Sequence, residues 1–424
     1  MEPVAYTASE DQSLNAAFVE EGAFSVSFFQ KRKHHKYRSV EAPRLEGPVA
    51  DTHAHIQMLN FPENELARCA FHNVRFVCAM TDPCDREEDG EAEGAEAQAS
   101  SAAKVAAGAA FEAGVAEVAV GASALEPADE AGFAIAEGAV EVADDATAFV
   151  AGGSVESAAA VVPSVAGHAD TSWPTFSNLE KWQEGARQLL QANGLSEYAG
   201  AVPQMRIAVG VHPHNASSWN LDVERLMLRR LADPRVCALG EVGLDYFYDI
   251  SPRAAQRGVF RRQIQLAKLA GVPLILHMRE AHSEGLAILE DEGFPSAGVL
   301  LHCFNLDEQA LAPWAEHGCF IAYGGPLTFK KADEVRAAAV KVPHNRLLTE
   351  TDSPYMTPEP MRGVDCGPAH VVFTAEKMLE VLGCETAEQR TQLLQQVYNN
   401  ALGLLNRQPT EWQQREWAKL QGQG

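Results

Sequence analysis

The chain has 424 residues, 46% of them apolar, and 58 acidic side chains against 34 basic ones leave a formal charge of −24. Length alone admits two or three domains, and a chain this acidic does not hold nucleic acid by bulk attraction, so an anionic substrate requires a local cationic site. No apolar run is long enough to cross a membrane, the N-terminus has early acids and no signal-peptide core, and the eight cysteines form no CxxC pair. The expectation is a reduced intracellular protein, in the cytoplasm, the nucleus or both.

Residues 1–47 show no clear periodicity and are expected to form a flexible N-terminal extension. Their basic run, Lys31-Arg32-Lys33-His34-His35-Lys36-Tyr37-Arg38, suits a nuclear-import signal or a phosphate-contacting arm, and more simply a solvated extension. From Pro48 the pattern becomes regular. A strand, VADTHAHI, leads into a helix near 63–72, and a second strand, VRFVCAM, follows at 74–80. The pattern then stops. Residues 85–170 hold 18 acids against Arg86 and Lys104, and 29 alanines fall within 91–170. Such a stretch has little to bury and reads as a low-complexity insertion over 86–175, with no chemistry assigned to it.

Strands and helices alternate after it. A helix near 179–193 precedes MRIAVGVHP; VCALGEVGLD, VPLILHM, GVLLHCF, CFIAYGG and RLLTETDSP follow, with helices between them and at 368–382 and 386–405. The strand runs are short and apolar, as for parallel strands covered on both faces. Eight strands, each followed by a helix, predict an α/β fold: a (β/α)8 TIM barrel over 48–408, interrupted by the insertion and followed by a tail at 409–424. An open doubly wound sheet also alternates in this way. The barrel is preferred because polar residues gather at the strand ends, where a barrel makes them converge.

Those ends carry His53 and His55, His212 and His214, Glu241 and Asp245, His277 and Arg279, His302, and Glu350 and Asp352. Each alone has a bland reading, such as a histidine bonded to a carbonyl or an aspartate capping a turn. Six of eight strands ending in ligand-type side chains point to a metal site. Asp51, His53 and His55 share one strand face by two-residue spacing. His53, His55 and Asp352 would hold one divalent ion, His277 and His302 a second, and Glu241 would bridge them. Imidazole with carboxylate suits Zn²⁺ or Mn²⁺, and Mg²⁺ remains open. Two such ions would leave the centre at about +2 and could polarise a phosphoryl oxygen and supply a nucleophile.

The stretches DTHAH, AVGVHPH, GEVGLDYFYD, HMREA, LLHCF and TETDSPY, in this order, resemble the TatD family of metal-dependent deoxyribonucleases within the amidohydrolase-like superfamily. The resemblance covers 49–80 and about 201–405. It implies a barrel fold, two divalent ions, DNA as substrate, and hydrolysis of its phosphodiester bonds. By that resemblance His53, His55, Glu241, His277, His302 and Asp352 are metal ligands, with Glu241 and Asp352 catalytic, and His214, Arg279 and Arg362 face the substrate. The chain departs from the family pattern at Asn305-Leu306, where a glycine is common, at Cys366-Gly367-Pro368, where Asn-Glu-Pro is common, and in its long insertion. Asp245 could contact a ligand histidine or shape a turn; Tyr246, Phe247 and Tyr248 could stack on bases or pack in a loop. The rival readings are a two-metal hydrolase of amides, lactones or other phosphoesters and a non-catalytic metal-binding scaffold. No membrane and no obligate protein partner are expected.

Overall fold

The computed structural model describes residues 25–33, 36–84 and 174–422. The insertion expected at 86–175 lies outside the described residues, except that its last two positions open a helix. Strands β1 (Phe29–Lys33) and β2 (Lys36–Val40) form an antiparallel hairpin. Strands β3 (Val49–Ala54), β4 (Val74–Thr81), β5 (Gln204–Val209), β6 (Val236–Asp245), β7 (Leu274–Arg279), β8 (Val299–Leu301), β9 (Phe320–Tyr323) and β10 (Leu347–Thr349) follow one another in a parallel eight-stranded sheet. Helices α1 (Pro62–Phe71), α2 (Pro174–Ala192), α3 (Leu221–Leu231), α4 (Arg253–Ala270), α5 (His282–Glu292), α6 (Glu308–Glu316), α7 (Asp333–Ala339), α8 (Val371–Val381), α9 (Ala387–Leu405) and α10 (Glu411–Leu420) surround it. This is the (β/α)8 barrel that the alternation predicts.

Local chemistry sets the helix ends. Asn220 caps α3 by accepting from the backbone N–H groups of Asp222 and Val223, with acids in the first turn and Arg229 and Arg230 in the last. A cap of this kind is worth about 1 kcal/mol. Gly271 ends α4 in the left-handed conformation (φ 69°), where a side chain is disfavoured.

The seam between the first and last barrel strands is closed by side chains as well as backbone. Thr349 Oγ1 donates to the Ala50 carbonyl (2.7 Å) and Thr52 Oγ1 to the Thr349 carbonyl (3.0 Å). Asp51 accepts from the Thr351 hydroxyl (2.6 Å) and the Thr351 N–H (2.9 Å). Backbone bonds Asp352 N to His53 O (2.9 Å) and His55 N to Ser353 O (2.8 Å) then set β3 and the segment after β10 in register. The seam thus fixes His53 and His55 opposite Asp352.

Two expectations change. Part of the N-terminal extension is the ordered hairpin, anchored by fully buried Phe29, whose ring packs on His370 (4.6 Å) and Phe373 (5.0 Å) beneath the Arg68 guanidinium. Lys31, from the basic run, donates to the Pro360 carbonyl (3.0 Å). The C-terminal tail is largely helix α10, tied down by buried Gln413, whose amide donates to the carbonyls of Leu231 (2.8 Å) and Val236 (2.9 Å). Asp51, on the same strand face as the two histidines, has both carboxylate oxygens engaged at the seam and takes no part in the ligand groups.

Candidate metal centre

Glu241 stands at the middle of the centre, on β6. One carboxylate oxygen, Oε2, lies 3.3 Å from His53 Nε2 and 3.6 Å from His55 Nε2. The other, Oε1, lies 2.6 Å from His277 Nδ1, 2.8 Å from His302 Nε2 and 3.7 Å from His212 Nε2. Asp352 Oδ1 is 3.6 Å from His55 Nε2 and 3.8 Å from His53 Nε2. Three overlapping groups have donor atoms close enough to share an ion: His53, His55 and Asp352; His53, Glu241 and His302; His212, Glu241 and His277. All six ligand positions expected from the sequence converge here.

The donor set fits a divalent ion. His53 is fully buried; among the described residues its Nδ1 has no hydrogen-bond partner, and its Nε2 faces only the carboxylates of Glu241 (3.3 Å) and Asp352 (3.8 Å). Burying an imidazole without full pairing is costly, and ligation would satisfy one ring nitrogen. Burial holds the His53 and His212 imidazoles below their ordinary pKa, His212 well below. Both therefore favour the neutral, ligating form. Burial alone would push the Glu241 carboxyl up. The imidazoles of His302, His53 and His212 and a hydrogen bond from His277 outweigh it and keep the carboxylate ionised. Asp352 is lowered in the same way, its burial outweighed by His55, His302 and His53.

A second tier orients these groups. His277 Nε2 lies 3.0 Å from Asp245 Oδ2, and His214 Nε2 reaches the same oxygen at 2.9 Å. Asp245 Oδ1 accepts the backbone N–H groups of Phe247 (3.1 Å) and Tyr248 (2.9 Å). This is the carboxylate–imidazole pairing that fixes the ring and tautomer of a metal ligand. Buried Glu350 accepts the Cys303 N–H (2.6 Å) and lies 3.5 Å from His302 Nδ1. Helix α4 contributes two glutamines seven residues apart, on one face. Gln256 pairs with both backbone groups of Asp245 (2.8 and 3.1 Å), and Gln263 with both backbone groups of Val211 (2.7 and 2.9 Å). Asp245 and the loop carrying His212 and His214 are thereby held to one scaffold.

The sequence reading left His212 out of the ligand set. The signal was present, because GVHPH repeats the His-x-His spacing of residues 53–55. Pro213 splits the pair, so His212 turns to Glu241 and His214 to Asp245. The Arg279 guanidinium lies over the rings of Phe247 (4.0 Å) and Tyr248 (4.6 Å), and that of Arg362 over Phe329 (3.9 Å). At Gly367, where the family's common Glu is missing, a Cβ would collide with the Glu65 carboxylate.

A parallel barrel with buried imidazoles and carboxylates converging at the carboxyl ends of its strands defines a metal-dependent hydrolase of the barrel class. The chain belongs to the TatD family: the profile described as "TatD related DNase" matches residues 174–406. The "Uncharacterized metal-dependent hydrolase YabD" of Bacillus subtilis is 37% identical over 174 residues, covering 41% of this chain and 68% of that protein. The "3'-5' ssDNA/RNA exonuclease TatD" of Cronobacter turicensis is 40% identical over 151 residues, covering 35% of this chain and 57% of that protein. The structure of a hydrolase TatD family protein from Entamoeba histolytica shares the fold, with a TM-score of 0.51 at 14% identity over 86% of this chain and 99% of that one. The profile match begins after the first two barrel strands, so His53 and His55 lie outside the matched residues and meet Glu241 and Asp352 through the fold. Among the described residues no helix is long and apolar enough to cross a membrane.

Proposed function

We propose that the protein is a divalent-metal-dependent deoxyribonuclease that hydrolyses DNA phosphodiester bonds with two ions. The observation that carries this reading is the division of Glu241, one oxygen facing His53 and His55 and the other facing His277 and His302. His53, His55 and Asp352 would hold one ion and His277 and His302 the other, with His212 as an additional nitrogen on the second side. Mg²⁺, Mn²⁺ or Zn²⁺ bound there would supply positive charge to the phosphate and acidify water.

The chain's own groups do the rest. Glu241 holds the two halves of the site together. Asp352 has a left-handed backbone (φ 59°) and its carboxylate lies 3.6 Å from His55 Nε2; in this reading it would take a proton from attacking water. His214, held by Asp245, and the Arg279 guanidinium flank the centre and bind the phosphate; Arg362, on the loop after β10, adds a further contact. The activity named for the Cronobacter relative supports a nucleic-acid substrate. Among the described residues no cysteine is held in a disulfide, which supports an intracellular, reducing setting.

The test is cleavage of end-labelled single- and double-stranded DNA after chelation and reloading with Mg²⁺, Mn²⁺ or Zn²⁺. Metal-dependent cleavage that disappears in Glu241→Ala and Asp352→Ala is the expected result, and the product ladder separates exonuclease from endonuclease. A folded, metal-loaded protein that cleaves ester or amide substrates but no DNA overturns the nuclease reading.

A further inference from the structure

The GLDYFYD motif after β6 divides into two roles. Tyr246 is used structurally: its hydroxyl donates to Glu284 (2.7 Å) and Arg253 covers its ring (4.3 Å). Phe247 and Tyr248 are not used in this way. Each is 36% exposed, and their rings meet edge to face at 4.9 Å. The Arg279 guanidinium lies against both, and among the described residues it forms no ion pair. Tyr248 is one ring away from a metal-ligand position, since its ring contacts His214 (5.5 Å) and the His214 ring lies 6.2 Å from that of His277.

The backbone that carries these rings is fixed in place. Their backbone N–H groups are bound by Asp245, the residue that also orients His277 and His214. The same end of the barrel carries further exposed apolar groups. Six of the nine exposed large apolar side chains among the described residues, Met58, Phe61, Phe247, Tyr248, Ile250 and Leu306, lie in loops after β3, β6 and β8, which open on the face of the metal centre. A soluble protein gathers exposed apolar side chains around a site when its ligand has a face to cover. A phosphate has none, but a nucleobase does.

Resting on the nuclease reading above, we infer that Phe247 and Tyr248, braced by Arg279, form a stacking platform for the base next to the scissile phosphate. In a duplex the bases are stacked on each other and their faces are closed. In a single strand or frayed end a base can lie on the rings while Arg279 pairs with its phosphate.

The test compares two labelled oligonucleotides of equal length with nuclease-resistant phosphorothioate backbones, one of thymidines and one of abasic sugars. Each is bound to the metal-loaded full-length chain and followed by fluorescence anisotropy. Base stacking predicts about 5- to 100-fold tighter binding of the thymidine strand. In F247L/Y248L that strand falls to the abasic level. Arg279→Gln weakens both strands and reduces the slope of log affinity against log salt by about 0.7. Equal affinity for the two strands in the unaltered chain, or an unchanged ratio in a folded F247L/Y248L protein, overturns the platform. Cleavage of unmodified DNA, run in parallel, separates the two ideas: a chain that cleaves DNA without favouring bases loses only the platform, and a chain that cleaves none loses the nuclease reading with it.

Discussion

The inner wall of the barrel has two layers made by the same strands. In the lower layer Ile275, Leu300, Ala322, Leu348, Cys78 and Cys237 pack together, joined by Leu404 and Leu405 of α9. Two residues further along, on the same strand face, Ile275 gives way to His277 and Leu300 to His302. The upper layer breaks the rules that the lower one follows. It buries imidazoles and carboxylates, and it bends non-glycine backbone into the left-handed region at Cys303 (φ 46°) and Asp352 (φ 59°). Each such residue costs about 1–3 kcal/mol, so the upper layer persists because the lower layer and the seam hold it. Stability and chemistry should therefore separate by layer.

The largest effect lies in the upper layer. Glu241→Gln keeps the size of the side chain and removes the charge that faces both halves of the site. DNA hydrolysis at saturating metal is expected to fall on the order of a thousandfold or more, with an unchanged circular dichroism spectrum. Activity within tenfold of the parent would remove Glu241 from the centre. The mirror experiment is Leu300→Ala in the lower layer. A fully buried leucine cut to alanine costs about 2–5 kcal/mol, read by urea unfolding, while turnover per folded molecule stays within a few-fold. If turnover fell as steeply as stability, the layers would not be separable.

The sequence makes the upper layer legible because its residues are chemically rare and recur at strand ends. The six positions that converge at the centre could be picked out without coordinates, even though His53 and His55 are separated from the others by the insertion. Of the supporting tier only Asp245 was legible, as a contact of His277, and the rest was not. Gln256 and Gln263 look like ordinary helix residues, and only the docking of α4 turns them into clamps for Asp245 and Val211. Glu350 lies two residues from Asp352 but turns to the Cys303 N–H, a contact that no spacing rule predicts. Helix α10 did have a signal: Thr410 and Gln413 form a reciprocal cap, the S/T-x-x-E/Q pattern. The hairpin had none, since its order comes from Phe29 entering a pocket made by distant residues.

A smaller effect tests how the supporting tier serves the upper layer. Asp245→Asn replaces one of two acceptor oxygens with a donor, so His277 and His214 lose their common partner. Affinity for the divalent ion, measured by calorimetric titration, should fall about 10- to 100-fold while the fold is kept. A change below twofold would make Asp245 a turn former only.

The last effect concerns stability rather than the site and uses a buried imidazole outside both layers. His370 packs on Phe29, and its Nδ1 accepts the Gly367 N–H (2.9 Å). Burial, helped by the nearby Arg68 charge, lowers its pKa from 6.5 to about 3. The folded state therefore keeps this ring neutral over a range in which the unfolded chain takes up a proton. The ring's contribution to stability is complete above pH 6.5 and is lost progressively as pH falls from 6.5 toward 3, by about 1.4 kcal/mol per unit. His370→Asn retains an acceptor for Gly367 and removes the titration. The variant should start less stable at pH 7, having lost contact with Phe29, yet show a shallower decline in unfolding free energy between pH 6 and 4. Equal slopes for parent and variant would mean that His370 already carries a proton in the folded protein. It would then belong with the charged groups of the upper layer rather than with the apolar packing around Phe29.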